Sequence, residues 1–353
     1  MCIRDRTDGA SVALVVTDPE GYAVYEGPAA GDTIEIEGIQ PWCHAAPVLY
    51  HAVLTLRDAD GVLQEVVPYD IGFRRFEMIN GVMCLNGERV VFNGVNRHEW
   101  NADRGRAIGA DDMHAAMAVF KKNNINAVRT CHYPDQSLWY DLCDRNGIYM
   151  IDETNLESHG SWQKLGAVEP SWNVPGSLPE WKDCVVDRAR SMFERDKNHA
   201  AVLIWSCGNE SYAGEDILAM SQFFHDHDPG RLVHYEGVFH CRAFDAISDM
   251  ESRMYAKPWE IREYLESHPK KPFILCEYMH DMGNSLGGME SYVKLADEFD
   301  QYQGGFIWDY MDQALRHTDA LGRSVLGYGG DFADRNTDYN FSGNGIVYAD
   351  GAE

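Results

Sequence analysis

Ala201–Ser211 reads AVLIWSCGNES: a continuous apolar run of strand length that stops at Gly208, Asn209 and Glu210. Pro272–Asn284, PFILCEYMHDMGN, has the same design and ends in Glu277, with His280 and Asn284 just beyond. Uninterrupted apolar runs of this length are how strands buried on both faces of a parallel sheet read. Working outward, further candidate strands are Val90–Val95, Ala127–Thr130, Tyr149–Asp152, Leu232–Tyr235, Ala246–Ser248 and Gly305–Trp308, with Val202–Ser206 and Phe273–Cys276 inside the two quoted runs. Helical patterns fall between several of them, at Asp112–Asn123, Ser137–Asn146, Trp181–Asp196, Ile217–His225, Trp259–Ser267 and Met289–Phe299. In Trp181–Asp196 the apolar Val185, Val186, Ala189, Met192 and Phe193 recur at helical spacing and mark one buried face. Strands alternating with helices over residues 75–353 predict an α/β fold, a TIM (β/α)8 barrel. An open doubly wound sheet is the other arrangement of such elements, but no G-x-G-x-x-G follows the first strand.

The rhythm before residue 75 is different. Val12–Thr17, Thr33–Ile39 and the alternating Tyr50–Arg57 read as strands, and Asp60-Gly61 marks a hairpin. Residues 1–74 are therefore expected to form part of an immunoglobulin-like β-sandwich, too short for its roughly seven strands. Gly327–Glu353 is rich in Gly, Asp and Asn, so the helix that should follow the last barrel strand is expected to be missing.

The 353 residues carry a formal charge of −26, which repels phosphate backbones and argues against nucleic acid as a partner. No apolar run reaches the 18 or so residues of a membrane span, and the charged start Met1–Arg6 is followed by no apolar leader core. Nine scattered cysteines form no C-x-x-C pair, which suits a reducing compartment and a cytoplasmic home. Cys207 and Cys276 lie in apolar runs and read as small hydrophobes.

Barrel sites form at the C-terminal ends of the strands, so Glu210 and Glu277, ending strands four and seven, can face each other across one cavity. Two converging carboxylates are what glycoside hydrolysis needs, one as acid and one as nucleophile or base. Each could instead serve as an ion-pair partner at a strand end. Strand two runs AVRTCHYP and brings Arg129 and His132 to the mouth, where Arg129 could hold a carboxylate ionised or make a structural salt bridge. Strand three ends in DETNLESHG; Glu157 and His159 could join Glu210 around magnesium or manganese, or be a surface pair. Trp308, ending GGFIWDY, could stack on a sugar or simply pack.

At these motifs the chain resembles glycoside hydrolase family 2, the family of the large β-galactosidases. The match also takes in LTLRDADG from Leu54, FNGVNRHE from Phe92, GGFIWDYMDQ from Gly304 and FSGNGIVYAD from Phe341. The resemblance implies retention of configuration, Glu210 as acid/base, Glu277 as nucleophile, and Tyr255 and Arg129 as supports of Glu277. It implies that Asn209 touches the sugar 2-hydroxyl and that His98, His132, His280 and Trp308 line the galactose subsite. It further implies Mg2+ on Glu157, His159 and Glu210, and Na+ on the Phe341 carbonyl and Asn344. In the family a jelly-roll domain and C-terminal domains add a sodium ligand and further subsite residues, so this chain is expected to be a fragment of a homo-oligomeric enzyme. Hydrolysis of β-galactosides such as lactose is the implied activity. β-Glucuronidase or β-mannosidase chemistry on the same scaffold, or an inactive sugar-binding fragment, are the alternatives. A glucuronidase needs a cation near the sugar carboxylate, and after Glu277 no Lys occurs until Lys294.

Overall fold

The structure is a computed structural model that describes residues 9–29, 33–159, 174–282, 286–337 and 339–353. Met1–Arg6 and Asn284 lie outside the described residues. The chain divides into two compact units, one holding the residues up to Arg74 with Asp144–Gly147 and Asn198–Ala200, the other the remainder.

The smaller unit is a four-stranded antiparallel sheet of β1 (Ser11–Thr17), β2 (Ala23–Pro28), β3 (Tyr50–Arg57) and β4 (Leu63–Ile71), in the order β2-β1-β3-β4. Alternation on β1 and β3 sends Val16, Tyr50 and Ala52 to one face, where Leu14, Val48, Ile71 and Phe73 pack against them. Gly61, at φ +80, permits the tight β3–β4 turn where the Asp-Gly pair was expected. Thr33–Ile39, expected as a strand, has no strand structure. Its Ile36 and Ile39 pack against the core cluster from a loop, so apolar alternation there reports burial without pairing.

The larger unit opens with a small three-stranded sheet of β5 (Phe76–Ile79), β6 (Val82–Leu85) and β7 (Glu88–Arg89), then enters a barrel. Its strands are β8 (Phe92–Arg97), β9 (Ala127–Thr130), β10 (Tyr149–Glu153), β11 (Val202–Ser206), β12 (Leu232–His234), β13 (Glu251–Met254), β14 (Phe273–Tyr278) and β15 (Tyr302–Ile307). All pair in parallel in the order β12-β11-β10-β9-β8-β15-β14-β13, so β15 returns to β8 and this is a nearly closed (β/α)8 barrel. Between β12 and β13 no ladder forms. The Asp249 N–H donates to the Val233 carbonyl, the Val233 N–H to the Asp249 carboxylate and the Tyr235 N–H to Ser248 Oγ, and His234 pairs with Ser252 Oγ, so scattered bonds bridge the two strands and the turns beside them.

Helices α1 (Ala110–Lys122), α2 (Ser137–Asn146), α3 (Pro179–Asp196), α4 (Glu215–His227), α5 (Pro258–Glu266) and α6 (Met289–Glu298) lie between the strands in sequence. Pro179 starts α3 at a position where its missing N–H costs nothing. Val185, Ala189, Met192 and Phe193 are buried on that helix and Val186 is half-buried, as the spacing predicts. Each such large side chain contributes roughly 1.5–3 kcal/mol by leaving water. The sixth strand is displaced from its expected place: Ala246–Ser248 falls in or just after a 3-10 turn, Arg242–Ile247, and the strand is Glu251–Met254. Its charges had disguised it. Glu251 is buried between Arg242 and Arg253, whose guanidinium groups meet its oxygens at 2.7–2.8 Å. Among the described residues no helix is long and apolar enough to cross a membrane.

Candidate active site

Arg129, on β9, organises the C-terminal mouth of the barrel. It is wholly buried, and its guanidinium spends its donors on four residues. Nε and Nη2 grip Glu153 at 2.8 and 3.1 Å, Nη1 reaches Glu277 Oε1 and Asn96 Oδ1 at 2.9 Å each, and Nη2 reaches Asn209 Oδ1 at 2.7 Å. A planar fork can hold several oxygens in fixed directions at once; a lysine cannot. The second oxygen of Glu277 accepts from Tyr255 OH at 2.9 Å. Glu277, at the end of β14, is thus held at both oxygens by donors.

Glu210 follows β11 and lives under other forces. Burial, and the charge of Glu277 beside it, push its carboxyl up to about 7 against the opposing pull of His159. Two carboxyls near enough to act on each other thus sit in environments that differ in kind.

The remaining expected residues converge on the same mouth. His132 stacks on Trp308 with ring centres 5.1 Å apart and planes 9° apart, and His98 meets both rings edge-on at 5.8 and 5.5 Å. Burial and the nearby cations hold His98 well below its usual range and bring His132 down to about 3, so both imidazoles are neutral at pH 7. His132 directs Nδ1 to Glu153 at 2.8 Å, which leaves Nε2 on the side of Glu277, 3.9 Å from its Oε1. His280 lies between the rings of Tyr255, at 6.3 Å, and Phe341, at 4.8 Å. Glu157, His159 and Glu210 place one ligand atom each within 4.8 Å of one another. Two carboxylates and one imidazole are a donor set for magnesium or manganese. Asn344 is buried, and its Oδ1 has no hydrogen-bond partner among the described residues, as an oxygen reserved for a cation would be. The Phe341 ring is half exposed.

Three buried groups escaped the sequence reading. Glu153 ends β10 and, besides Arg129 and His132, accepts from Ser206 at 2.8 Å; burial lifts it to about 7. Asn96, on β8, orients Arg129. Glu236 accepts the backbone N–H of Glu210 at 2.7 Å. Glu153 carried a signal that was available: it is the polar residue that ends the apolar run YMIDE, as Glu277 ends FILCE.

Comparisons with known proteins agree on one family. Residues 76–352 match the family described as glycosyl hydrolases family 2, TIM barrel domain. The chain is 63% identical over 309 residues to a β-galactosidase of Halalkalibacterium halodurans, a match covering 88% of this chain and 30% of that protein. It is 56% identical to the β-galactosidase large subunit of Lactobacillus acidophilus, over 96% of this chain and 55% of that one. The chain thus spans between about a third and somewhat over half the length of these relatives. Among solved structures, a β-glucuronidase from Ruminococcus gnavus in complex with uronic isofagomine superposes with a TM-score of 0.76, covering 96% of this chain and 61% of that one. At 20% identity that likeness speaks for the fold alone.

Proposed function

Because this chain belongs to glycosyl hydrolase family 2, we propose that it is the catalytic portion of a β-galactosidase that cleaves terminal β-galactosides with retention of configuration. The observation that carries the reading is the contrast between the two carboxyls. Glu277 is held by Arg129 and Tyr255, whereas Glu210 is pushed up to about 7. A retaining glycosidase needs one carboxylate ionised and one carboxyl protonated near neutral pH.

In the first step Glu277 attacks the anomeric carbon and Glu210 gives its proton to the departing aglycone oxygen. In the second, Glu210 takes a proton from water, which displaces the sugar from Glu277. Neutral His98, His132 and His280 would hydrogen-bond sugar hydroxyls, Asn209 would take the 2-hydroxyl, and the Trp308 ring would form an apolar wall. Glu157, His159 and Glu210 would hold magnesium, whose charge would steady ionised Glu210 and its neighbours. Asn344 Oδ1 and the Phe341 carbonyl would hold sodium at the rim, where it would meet a sugar hydroxyl.

The choice of galactose is supported by relatives named as β-galactosidases at 53–63% identity. β-Glucuronidase is the less favoured reading, since the segment after Glu277 has no Lys before Lys294, which instead pairs with Glu290 on α6. Relatives named as large subunits support a complete protein that works with a second subunit or as an oligomer. A cytoplasmic home is proposed on the cysteine pattern alone.

The test is a panel of aryl β-glycosides offered to the full-length gene product and to its Glu277→Gln variant, with and without a chelator. Galactoside turnover that disappears in the variant and falls on chelation is the expected result. Preference for the glucuronide, or undiminished turnover by Glu277→Gln, would refute the proposal.

A further inference from the structure

Glu210 adopts φ +38, a left-handed conformation that a non-glycine residue keeps only where its surroundings impose it. The surroundings that do so are visible. Tyr235 and Glu236 follow β12, and Glu236 opens a 3-10 turn, Glu236–Phe239. Glu236 Oε1 accepts the backbone N–H of Glu210 at 2.7 Å. The Tyr235 hydroxyl accepts the N–H of Ser211 at 3.0 Å and donates to the Ser211 carbonyl. On the other side, Asn209 N–H is held by the Leu156 carbonyl at 2.8 Å. The N–H groups of three successive residues, Asn209, Glu210 and Ser211, are therefore all held.

The chemistry of Glu236 is unusual for a packing residue. It is almost wholly buried, and its Oε2 has no hydrogen-bond partner among the described residues. A buried carboxyl with one idle oxygen is unfavourable, and an apolar side chain of the same volume would fill the space at less cost. What an apolar side chain could not supply is the acceptor for Glu210 N–H.

We propose that Glu236, seconded by Tyr235, is a positioning residue for proton transfer: it fixes the Glu210 backbone so that the carboxyl meets the glycosidic oxygen. This rests on the reading of Glu210 as acid/base. The carboxyl lies three bonds from Cα, so a rotation about φ displaces it, and a displacement of about 1 Å from productive geometry can cost roughly 10²-fold in rate. Among the described residues the hydrogen-bond partners of the Glu277 carboxylate are Arg129 and Tyr255, and Glu236 is not one of them. Its removal should therefore impair the protonated step and spare the nucleophile.

The experiment measures kcat/KM for phenyl and 2,4-dinitrophenyl β-galactosides with the full-length gene product and its Glu236→Leu, Glu236→Gln, Tyr235→Phe and Glu210→Gln variants. The dinitrophenolate leaves with little protonation, so the ratio of the two substrates reads the acid alone. Covalent labelling of Glu277 by 2,4-dinitrophenyl 2-deoxy-2-fluoro-β-galactoside, counted by intact mass, shows that a variant has a formed site. Glu236→Leu should lose roughly 10²-fold on the phenyl substrate and a few-fold at most on the other, while still labelling. Glu236→Gln should stay close to wild type, because its amide oxygen still accepts the N–H. Tyr235→Phe should show the same selectivity in smaller measure. If Glu210→Gln itself shows no selectivity, the acid/base assignment fails. If it does, the positioning role is overturned by a Glu236→Leu that loses equally on both substrates, or by a Gln variant as impaired as Leu. Should Glu236→Leu fail to label, Tyr235→Phe decides, and a wild-type substrate ratio there overturns the role.

Discussion

Glu210 feels the charge of Glu277, and what separates the roles proposed for the two is the company each keeps. A carboxyl pushed up to about 7 is protonated below that pH and loses its proton above it, so the proposed acid is spent on the alkaline side. With phenyl β-galactoside and no magnesium, whose charge would itself favour ionised Glu210, kcat/KM should therefore fall by about tenfold per unit once pH exceeds roughly 7, and with the dinitrophenyl substrate the fall should be much weaker. Parallel pH profiles on the two substrates would contradict the assignment. Most of these residues were legible because catalytic side chains on a barrel end strands, and the ends of apolar runs can be found by eye. Glu210, Glu277 and Arg129 each stood at such an end. Glu236 was not legible. Nothing in YEGVF tells that its carboxyl reaches the backbone N–H of Glu210 beyond the end of β11, since that depends on packing between separate elements.

At the scale of elements, the barrel strands buried on both faces announced themselves, and the one carrying its own ion pairs did not. In β13, Glu251, Ser252 and Arg253 read as surface residues, yet Glu251 is buried under two guanidinium groups. Polarity at a buried position is invisible to a hydrophobic pattern when its partners come from another segment, here Arg242. Glu251→Leu strips Arg253 and Arg242 of their shared acceptor, and should destabilise the larger unit by about 1–3 kcal/mol. A thermal melt with an unchanged midpoint would show those bonds to be replaceable by water. Thr33–Ile39 erred in the opposite sense: its alternation was real, but a segment that packs its apolar residues on a sheet need not join the sheet.

For the whole molecule, linkage supplies a check that needs no turnover. An ion held by Glu157, His159 and Glu210 binds the folded state, so magnesium at about a hundred times its dissociation constant should add roughly 2.7 kcal/mol of stability. The melting temperature should rise with magnesium and stop doing so in Glu157→Ala; a rise that survives the substitution would place the ion elsewhere. The sequence left this trio open between a cation site and a surface pair, because an E-x-H triplet decides nothing until a third ligand arrives from another strand. The missing ladder between β12 and β13 has a consequence of its own. A ring of strands with one unpaired junction is topologically a rolled ribbon with two hems. Amide protons should exchange with deuterium earliest along those hems and latest at the β8–β9 pairing opposite. The Tyr235–Glu236 contact to Glu210 follows directly from one hem, so the aim of the proposed proton donor is only as steady as the least-laced edge of the barrel.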